Sequence, residues 1–230
     1  MSSGLILSLE TSTPVCSVAL HQQGKVLGSQ SYYLDKSHSS LLPGILKELT
    51  VNCGFELKDL DAFAISSGPG SYTGLRIGLS TAKGMCYALG IPLLSVGTLE
   101  TLEEQARPWV SEGALIAPML DARRMEVYMK LVERGGLEHW PLQALILEET
   151  TFGTFADREL FLVGNGAGKC EGFLTHPKLR ILGDLSPSAE AMGSLAWDKM
   201  QASETEDLAY FEPNYLKAFQ TKPPSNKFKP

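Results

Sequence analysis

Apolar positions run through the chain in two rhythms. Residues 5–9 and 15–20 are short apolar runs and residues 25–33 form a third extended stretch, separated by the turn-forming Glu10-Thr11-Ser12-Thr13-Pro14 and Gln22-Gln23-Gly24. Three such runs joined by tight turns predict an antiparallel meander. The period then changes. Leu41, Leu42, Ile45, Leu46 and Leu49 recur at helical spacing, predicting an amphipathic helix over 39–53 with Pro43 in its first turn, where a missing N–H costs little. A strand over 61–67, a break at Gly68-Pro69-Gly70-Ser71, a helix over 72–89 closed by Gly90, a strand over 92–96 and a helix over 99–106 follow.

After Pro108 a second series begins. Strands are expected at 114–120, 126–132, 142–147, 159–163 and 180–182. A short helix over 150–156, a Gly-rich turn over 164–168 and a helix over 188–202 capped by Ser188 complete it. The element order resembles a reduced copy of the first half, without any repeat in the sequence. The pattern predicts an α/β protein of two lobes with mixed sheets, the second reduced: a first lobe over 1–103, a second over 104–212 and a tail over 213–230.

Composition narrows the function. The chain has 230 residues, 43% hydrophobic, with a net charge of −6. An acidic surface repels phosphate backbones, so gripping a nucleic acid unaided is not expected. The tail is the exception, with Lys217, Lys222, Lys227 and Lys229 and no acid. The four cysteines are scattered without a C-x-x-C and read as reduced core residues. An N-terminus without a basic region, and no apolar run of bilayer length, point to the cytoplasm and to no membrane partner.

Two stretches carry candidate chemistry. Ser66 to Arg76 takes a strand through a Gly-rich turn into a helix, whose free N–H groups can attract an anion, with Arg76 close by. The alternative is a plain tight turn with Ser71 as cap. Glu10, Thr11, Ser12 and Thr13, at a strand end, are either a phosphate or Mg²⁺-water site or a turn network. The helix after the turn holds Gly74, Gly78 and Gly84. Three glycines cost it about 1 kcal/mol each relative to alanine, which close backbone approach would offset. Leu75, Leu79, Ala82 and Cys86 form one stripe, while apolar residues on another side hint at a partner helix. A second Gly-rich turn, Gly164 to Lys169, matches neither phosphate-binding spacing. The four histidines form no H-x-x-x-H, and no G-x-S-x-G elbow exists.

Leu7-Ser8-Leu9-Glu10-Thr11-Ser12-Thr13 with Cys16-Ser17-Val18-Ala19-Leu20 resembles the opening hairpin of the TsaD/TsaB branch of the actin-like ATPase superfamily. Gly68-Pro69-Gly70-Ser71-Tyr72-Thr73-Gly74-Leu75-Arg76-Ile77-Gly78, continuing to Ala82-Lys83-Gly84 and Ile91-Pro92, is very similar to the TsaB (YeaZ) signature. Asp121-Ala122-Arg123, Glu126-Val127-Tyr128 and Glu212-Pro213-Asn214-Tyr215-Leu216 resemble further landmarks of that family. The resemblance implies an actin-like (ribonuclease-H-like) fold. It also implies a non-catalytic subunit that pairs with a TsaD-type transferase and a TsaE-type ATPase. Together they form threonylcarbamoyladenosine on transfer RNAs reading codons that begin with adenine. The subunit alone would form a homodimer and touch transfer RNA only within the complex, if at all.

The catalytic sibling carries a metal-binding H-x-x-x-H where Thr98 and Leu102 stand here, and this chain leaves no length for the sibling's longer nucleotide-binding half. No cofactor is expected to be required, with weak ATP or ADP binding allowed. The pairing surface is expected on the first two helices: Leu41, Leu42, Ile45, Leu46, Leu75, Leu79, Ala82, Lys83 and Cys86. The phosphate vicinity is expected at Glu10, Thr11, Ser12, Thr13, Gly68, Gly70, Ser71 and Arg76. The alternative is a nucleotide-binding actin-like kinase or ATPase. A protease is disfavoured, because no triad assembles.

Overall fold

The computed structural model describes residues 3–33 and 38–217, with backbone alone at 38–41. Strands β1 (Leu5–Glu10), β2 (Cys16–Gln22) and β3 (Lys25–Tyr32) form the expected meander. Helix α1 (His38–Asn52), strand β4 (Ala62–Ser66), helix α2 (Tyr72–Leu89) and strand β5 (Leu93–Val96) then alternate. β4 joins β1 in parallel and β5 joins β4 in parallel, giving the order β3-β2-β1-β4-β5.

β1 is an uninterrupted buried run because both faces of this sheet are covered. Leu5, Leu7 and Leu9 point to one face, where Leu42, Ile45 and Leu46 of α1 and Leu79, Ala82 and Cys86 of α2 cover them. Ile6 points to the other, with Ala62, Ala64 and Leu94.

That other face is covered from far along the chain. A 3-10 turn (Ala189–Met192) and helix α4 (Gly193–Gln201) bring Ala189, Met192 and Ala196 onto it. Ser188 caps the turn, as its sequence position suggests, but the helix expected over 188–202 is split into these two pieces. Helix α3 (Thr98–Ala106) makes the reverse exchange. Its Leu99, Leu102 and Ala106 pack on Ile116, Phe161 and Val163 of the second sheet. The expected boundary at 103/104 therefore cuts α3, and the expected second lobe includes a segment that belongs to the first core. Sequence order hides this, because a helix buries its apolar stripe wherever the fold delivers it.

The second sheet holds β6 (Leu115–Asp121), β7 (Glu126–Glu133), β8 (Glu138–Ile146), β9 (Leu160–Val163) and β10 (Leu179–Leu182). Its order, β10-β9-β6-β7-β8, repeats the first: a meander with two parallel strands on the side of its first member. The duplicated topology and the crossed helices give the two-lobed α/β architecture with mixed sheets that the pattern predicts. The reduction lies in the helices, not the strands. The helix expected over 150–156 is a 3-10 turn (Gly153–Phe155), and the Gly-rich turn leads into another (Ala167–Cys170). Of the expected tail, residues 213–217 pack on the lobes, while Lys222, Lys227 and Lys229 lie outside the described residues. Cys16, Cys86 and Cys170 are buried, and burial pushes each thiol up to about 11, so they pack as small apolar groups. Among the described residues no helix is long and apolar enough to cross a membrane.

His21 ties the returning segment to the first sheet. Its Nε2 faces the Glu190 carbonyl at 3.2 Å and its Nδ1 faces Ser8 Oγ at 3.2 Å. A carbonyl only accepts, so Nε2 carries the proton and Nδ1 accepts from serine. Burial holds the imidazole below its ordinary 6.5. A depressed histidine contributes stability above its unfolded value that is lost as pH falls through it. Thermal stability is expected to decline below about pH 6.5, where the unfolded imidazole takes up a proton, and His21→Gln is expected to flatten that decline. An unchanged slope in melting curves would show that His21 does not set it.

Candidate functional site

Each lobe builds the same corner where its first hairpin meets the Gly-rich turn after its fourth strand. In the first lobe, a Cβ at Gly70 would lie 2.5 Å from the Ser12 carbonyl oxygen. The Ser71 N–H donates to that carbonyl at 2.6 Å, and the Gly68 carbonyl accepts from Thr98 N–H at 3.0 Å. In the second lobe, a Cβ at Gly166 would lie 2.9 Å from the Leu120 carbonyl carbon, and Asn165 Oδ1 accepts from Asp121 N–H at 2.9 Å. The second Gly-rich turn is thus the structural twin of the first, which its unmatched spacing concealed.

Between the corners lies a cleft of about 460 Å³. Thr13, Ser71 and Thr73 line it from one side, Asp121, Arg123 and Asn165 from the other, and Tyr215 and Lys217 across its mouth. Arg123 and Arg124 sit at the tip of the β6–β7 hairpin with φ of 73° and 50°. Side chains rarely adopt that region, and it costs each roughly 1 kcal/mol or more. The Asp121 carboxylate offsets part of this by accepting from Arg123 N–H at 2.5 Å, and Lys169 Nζ holds the same carboxylate at 2.7 Å.

The expected phosphate vicinity divides. Ser12, Thr13, Gly70 and Ser71 face the cleft. Thr11 does not: its Oγ1 donates to the Gly74 carbonyl at 2.9 Å, fixing the hairpin to α2. The Ser71 side chain is the helix cap, accepting from Gly74 N–H at 3.2 Å, so the plain-turn alternative describes its use here. Arg76 turns outward. Its guanidinium lies 4.1 Å from the Tyr72 ring centroid, and its Nε donates to Tyr215 OH at 3.4 Å. Arg123, Asn165 and Lys217, outside the expected set, line the cleft instead. Asp121-Ala122-Arg123 was visible as a motif, but only the fold brings it opposite the first hairpin.

Glu10 lies beneath the corner and is fully buried. Its Oε1 accepts from Ser12 N–H at 2.5 Å, and its Oε2 has no hydrogen-bond partner. Burial raises its pKa above the ordinary 4.5, against the hydrogen bonds from Ser12 that lower it. A raised carboxyl contributes most below its unfolded value and loses that contribution as pH rises through its folded value. Glu10→Gln is therefore expected to stabilise the chain at about pH 8, because it removes a charge that burial disfavours. The gain should be smaller at about pH 5. Melting curves at both values check this, and a loss of stability at the higher pH would contradict it.

The expected pairing surface needs the larger correction. Leu42, Ile45, Leu46, Leu75, Leu79, Ala82 and Cys86 are buried inside their own lobe. Helical periodicity marks the stripe a helix hides, and here the sheet takes it. Lys83 is half-buried and donates to the Ala209 carbonyl at 3.1 Å; the side chain of Leu41 lies outside the described residues. The free face of α2 is another stripe: Thr73, Ser80, Gly84 and Tyr87 are exposed, with Ile77 half-buried among them. These five recur at alternating steps of four and three, the spacing of a helix–helix seam. On α1, Gly44, Lys47, Glu48 and Val51 are exposed. Tyr87 is 85% and Val51 56% exposed, both high for large apolar side chains.

The glycines sort the two faces. A Cβ at Gly74 would lie 2.0 Å from the Thr11 carbonyl oxygen, and one at Gly78 2.3 Å from Thr11 Oγ1. Close approach explains both. A Cβ at Gly84 would meet nothing within 4 Å, so nothing in its own lobe requires that glycine. Thr98 and Leu102 are both buried, Leu102 in the core that α3 shares with the second sheet. No cluster of three histidine, cysteine or acidic residues arranged to hold a metal occurs among the described residues.

Comparison with known proteins agrees with this architecture. The profile of the family described as TsaD, tRNA N6-adenosine threonylcarbamoyltransferase, matches residues 28–140. The chain is 37% identical over 133 residues, 57% of each chain, to the tRNA threonylcarbamoyladenosine biosynthesis protein TsaB of Bacillus subtilis (strain 168). The solved structure of YeaZ from Pseudomonas aeruginosa superposes with a TM-score of 0.78 at 30% identity, covering 92% of this chain and 99% of that one. With the tRNA threonylcarbamoyladenosine biosynthesis protein TsaB of Escherichia coli (strain K12), identity is 30% over 224 residues, 92% of this chain and 94% of the relative. On that full-length match, the chain belongs to the TsaB family of tRNA threonylcarbamoyladenosine biosynthesis proteins.

Proposed function

We propose that this chain acts in threonylcarbamoyladenosine formation on transfer RNA as a non-catalytic subunit, pairing with a TsaD-type transferase through the outer faces of α1 and α2. The observation that carries this reading is Gly84. It is a helix-interior glycine that nothing in its own lobe explains, set in a stripe of small exposed residues ending at Tyr87. A partner helix laid along Ser80, Gly84 and Tyr87 gives that glycine a reason, because closely packed helices need small residues at the crossing. Tyr87 supplies an aromatic anchor of the kind interfaces favour, and Val51 adds exposed apolar area on α1. The same face serves a homodimer when the transferase is absent, and a TsaE-type ATPase joins the pair. Transfer RNA contact belongs to the assembled complex, since the chain is acidic. Co-purification of the chain with its genome's TsaD-type protein, lost on Tyr87→Asp, tests the surface.

A second reading, a nucleotide-binding actin-like kinase or ATPase, rests on the cleft between the lobes, where Thr13, Ser71 and Arg123 face one another. In that reading ATP or ADP binds there, and calorimetric titration of the isolated chain tests it. The sealed position of Glu10 and the outward turn of Arg76 favour the subunit reading, in which no cofactor is required.

A further inference from the structure

The last described residues cross from one lobe to the other. Glu206 pairs with Leu93 at the edge of β5, and its carboxylate accepts from Ser95 Oγ at 2.5 Å. Leu208 and Phe211 pack on the first core beside α2. Asn214 N–H then donates to the Ser67 carbonyl at 2.7 Å, and its own carbonyl sits where a Cβ on Gly68 would be 2.8 Å away. The Tyr215 ring lies 4.8 Å from that of Tyr72, with Arg76 joining them. Lys217 finally reaches the second lobe, where its Nζ pairs with Glu126 on β7. Tyr215 and Lys217 thereby line the mouth of the cleft.

We infer that residues 212–217 form a latch that holds the two lobes together over the cleft, pinned on the first by Asn214 and Tyr215 and closed on the second by the Lys217–Glu126 pair. The two ends differ in strength. The pin combines a main-chain hydrogen bond with aromatic packing, whereas the closing pair is partly exposed and contributes little alone. Such a segment stays attached to the first lobe while its end comes and goes from the second. It also borders the first turns of α2 through Tyr72 and Arg76, so events on that helix reach the cleft mouth along it. This inference stands whether the chain is a subunit or a nucleotide-binding enzyme.

Hydrogen exchange of the full chain, followed by mass spectrometry, tests it. Lys217→Glu is expected to speed exchange of the β6–β7 hairpin by about two- to fivefold at low salt, the size of a partly exposed ion pair. The double variant Lys217→Glu/Glu126→Lys should restore it. Tyr215→Ala should speed exchange of the Asn214 amide by about tenfold, and the hairpin with it, while β1 and β4 stay protected. A hairpin indifferent to both single variants would overturn the latch and leave 212–217 a segment of the first lobe alone. An Asn214 amide exchanging at the unprotected rate in the unsubstituted chain would overturn the pin.

Discussion

Gly84→Arg is expected to abolish pairing with a TsaD-type transferase while making the isolated chain slightly more stable. The two effects have separate origins. A side chain at Gly84 meets nothing of its own lobe, so the fold accommodates it. Replacing a glycine inside a helix by a better helix former stabilises it by up to about 0.8 kcal/mol, a rise of about 2 °C in Tm for a chain of this size. The same side chain stands in the middle of the Ser80–Tyr87 stripe, where it would hold a partner helix away. Loss of a central, well-packed contact costs 2 kcal/mol or more, so affinity should fall at least about thirtyfold. Paired measurements of Tm and of complex formation check this. A stabilised variant that still pairs normally would move the interface off α2.

Gly74→Ala, ten residues earlier on the same helix, should do the opposite. Helix propensity again favours alanine by about 1 kcal/mol. Here the new Cβ would lie 2.0 Å from the Thr11 carbonyl oxygen, a main-chain atom of the first hairpin that cannot swing aside. The Thr11 hydroxyl also bonds the Gly74 carbonyl, so any shift of the helix disturbs that bond as well. Overpacking of this kind costs up to about 3 kcal/mol, a net loss of about 2 kcal/mol after the propensity gain, and Tm should drop by roughly 4–8 °C. An unchanged Tm would mean that the hairpin does not rest on α2 as described. A loss at least as large is expected for Leu79→Asp or Ala82→Asp, which would put a carboxylate into the core.

The contrast between these glycines also marks what the sequence could say. The strand meander, α1, α2 with its Ser71 cap and Gly90 stop, and most strands of the second lobe were legible, because periodicity and turn residues report local structure. The three glycines of α2 signalled close approach, and two of the three find it, against Thr11. The residues expected to pair lie in the core of their own lobe, because the apolar stripe is the stronger signal and marks the sheet-facing side. The outer face of α2, where the pairing is proposed, carries the weaker signal of small residues at alternating spacing, Ser80 and Gly84 among them. The placement of the cleft's second wall was not legible, although Asp121-Ala122-Arg123 stood out as a motif. Asp121, Arg123 and Asn165 lie far from Thr13 in sequence, and only the repeated topology brings the two corners face to face. The destination of α4 was hidden for the same reason.

The most direct test of the central claim is size-exclusion chromatography with light scattering, on this chain alone and mixed with its genome's TsaD-type transferase, with transfer activity assayed in the same fractions. The account predicts a new complex containing both chains, with activity appearing only in that complex. A chain that ignores the transferase yet hydrolyses ATP on its own would contradict it.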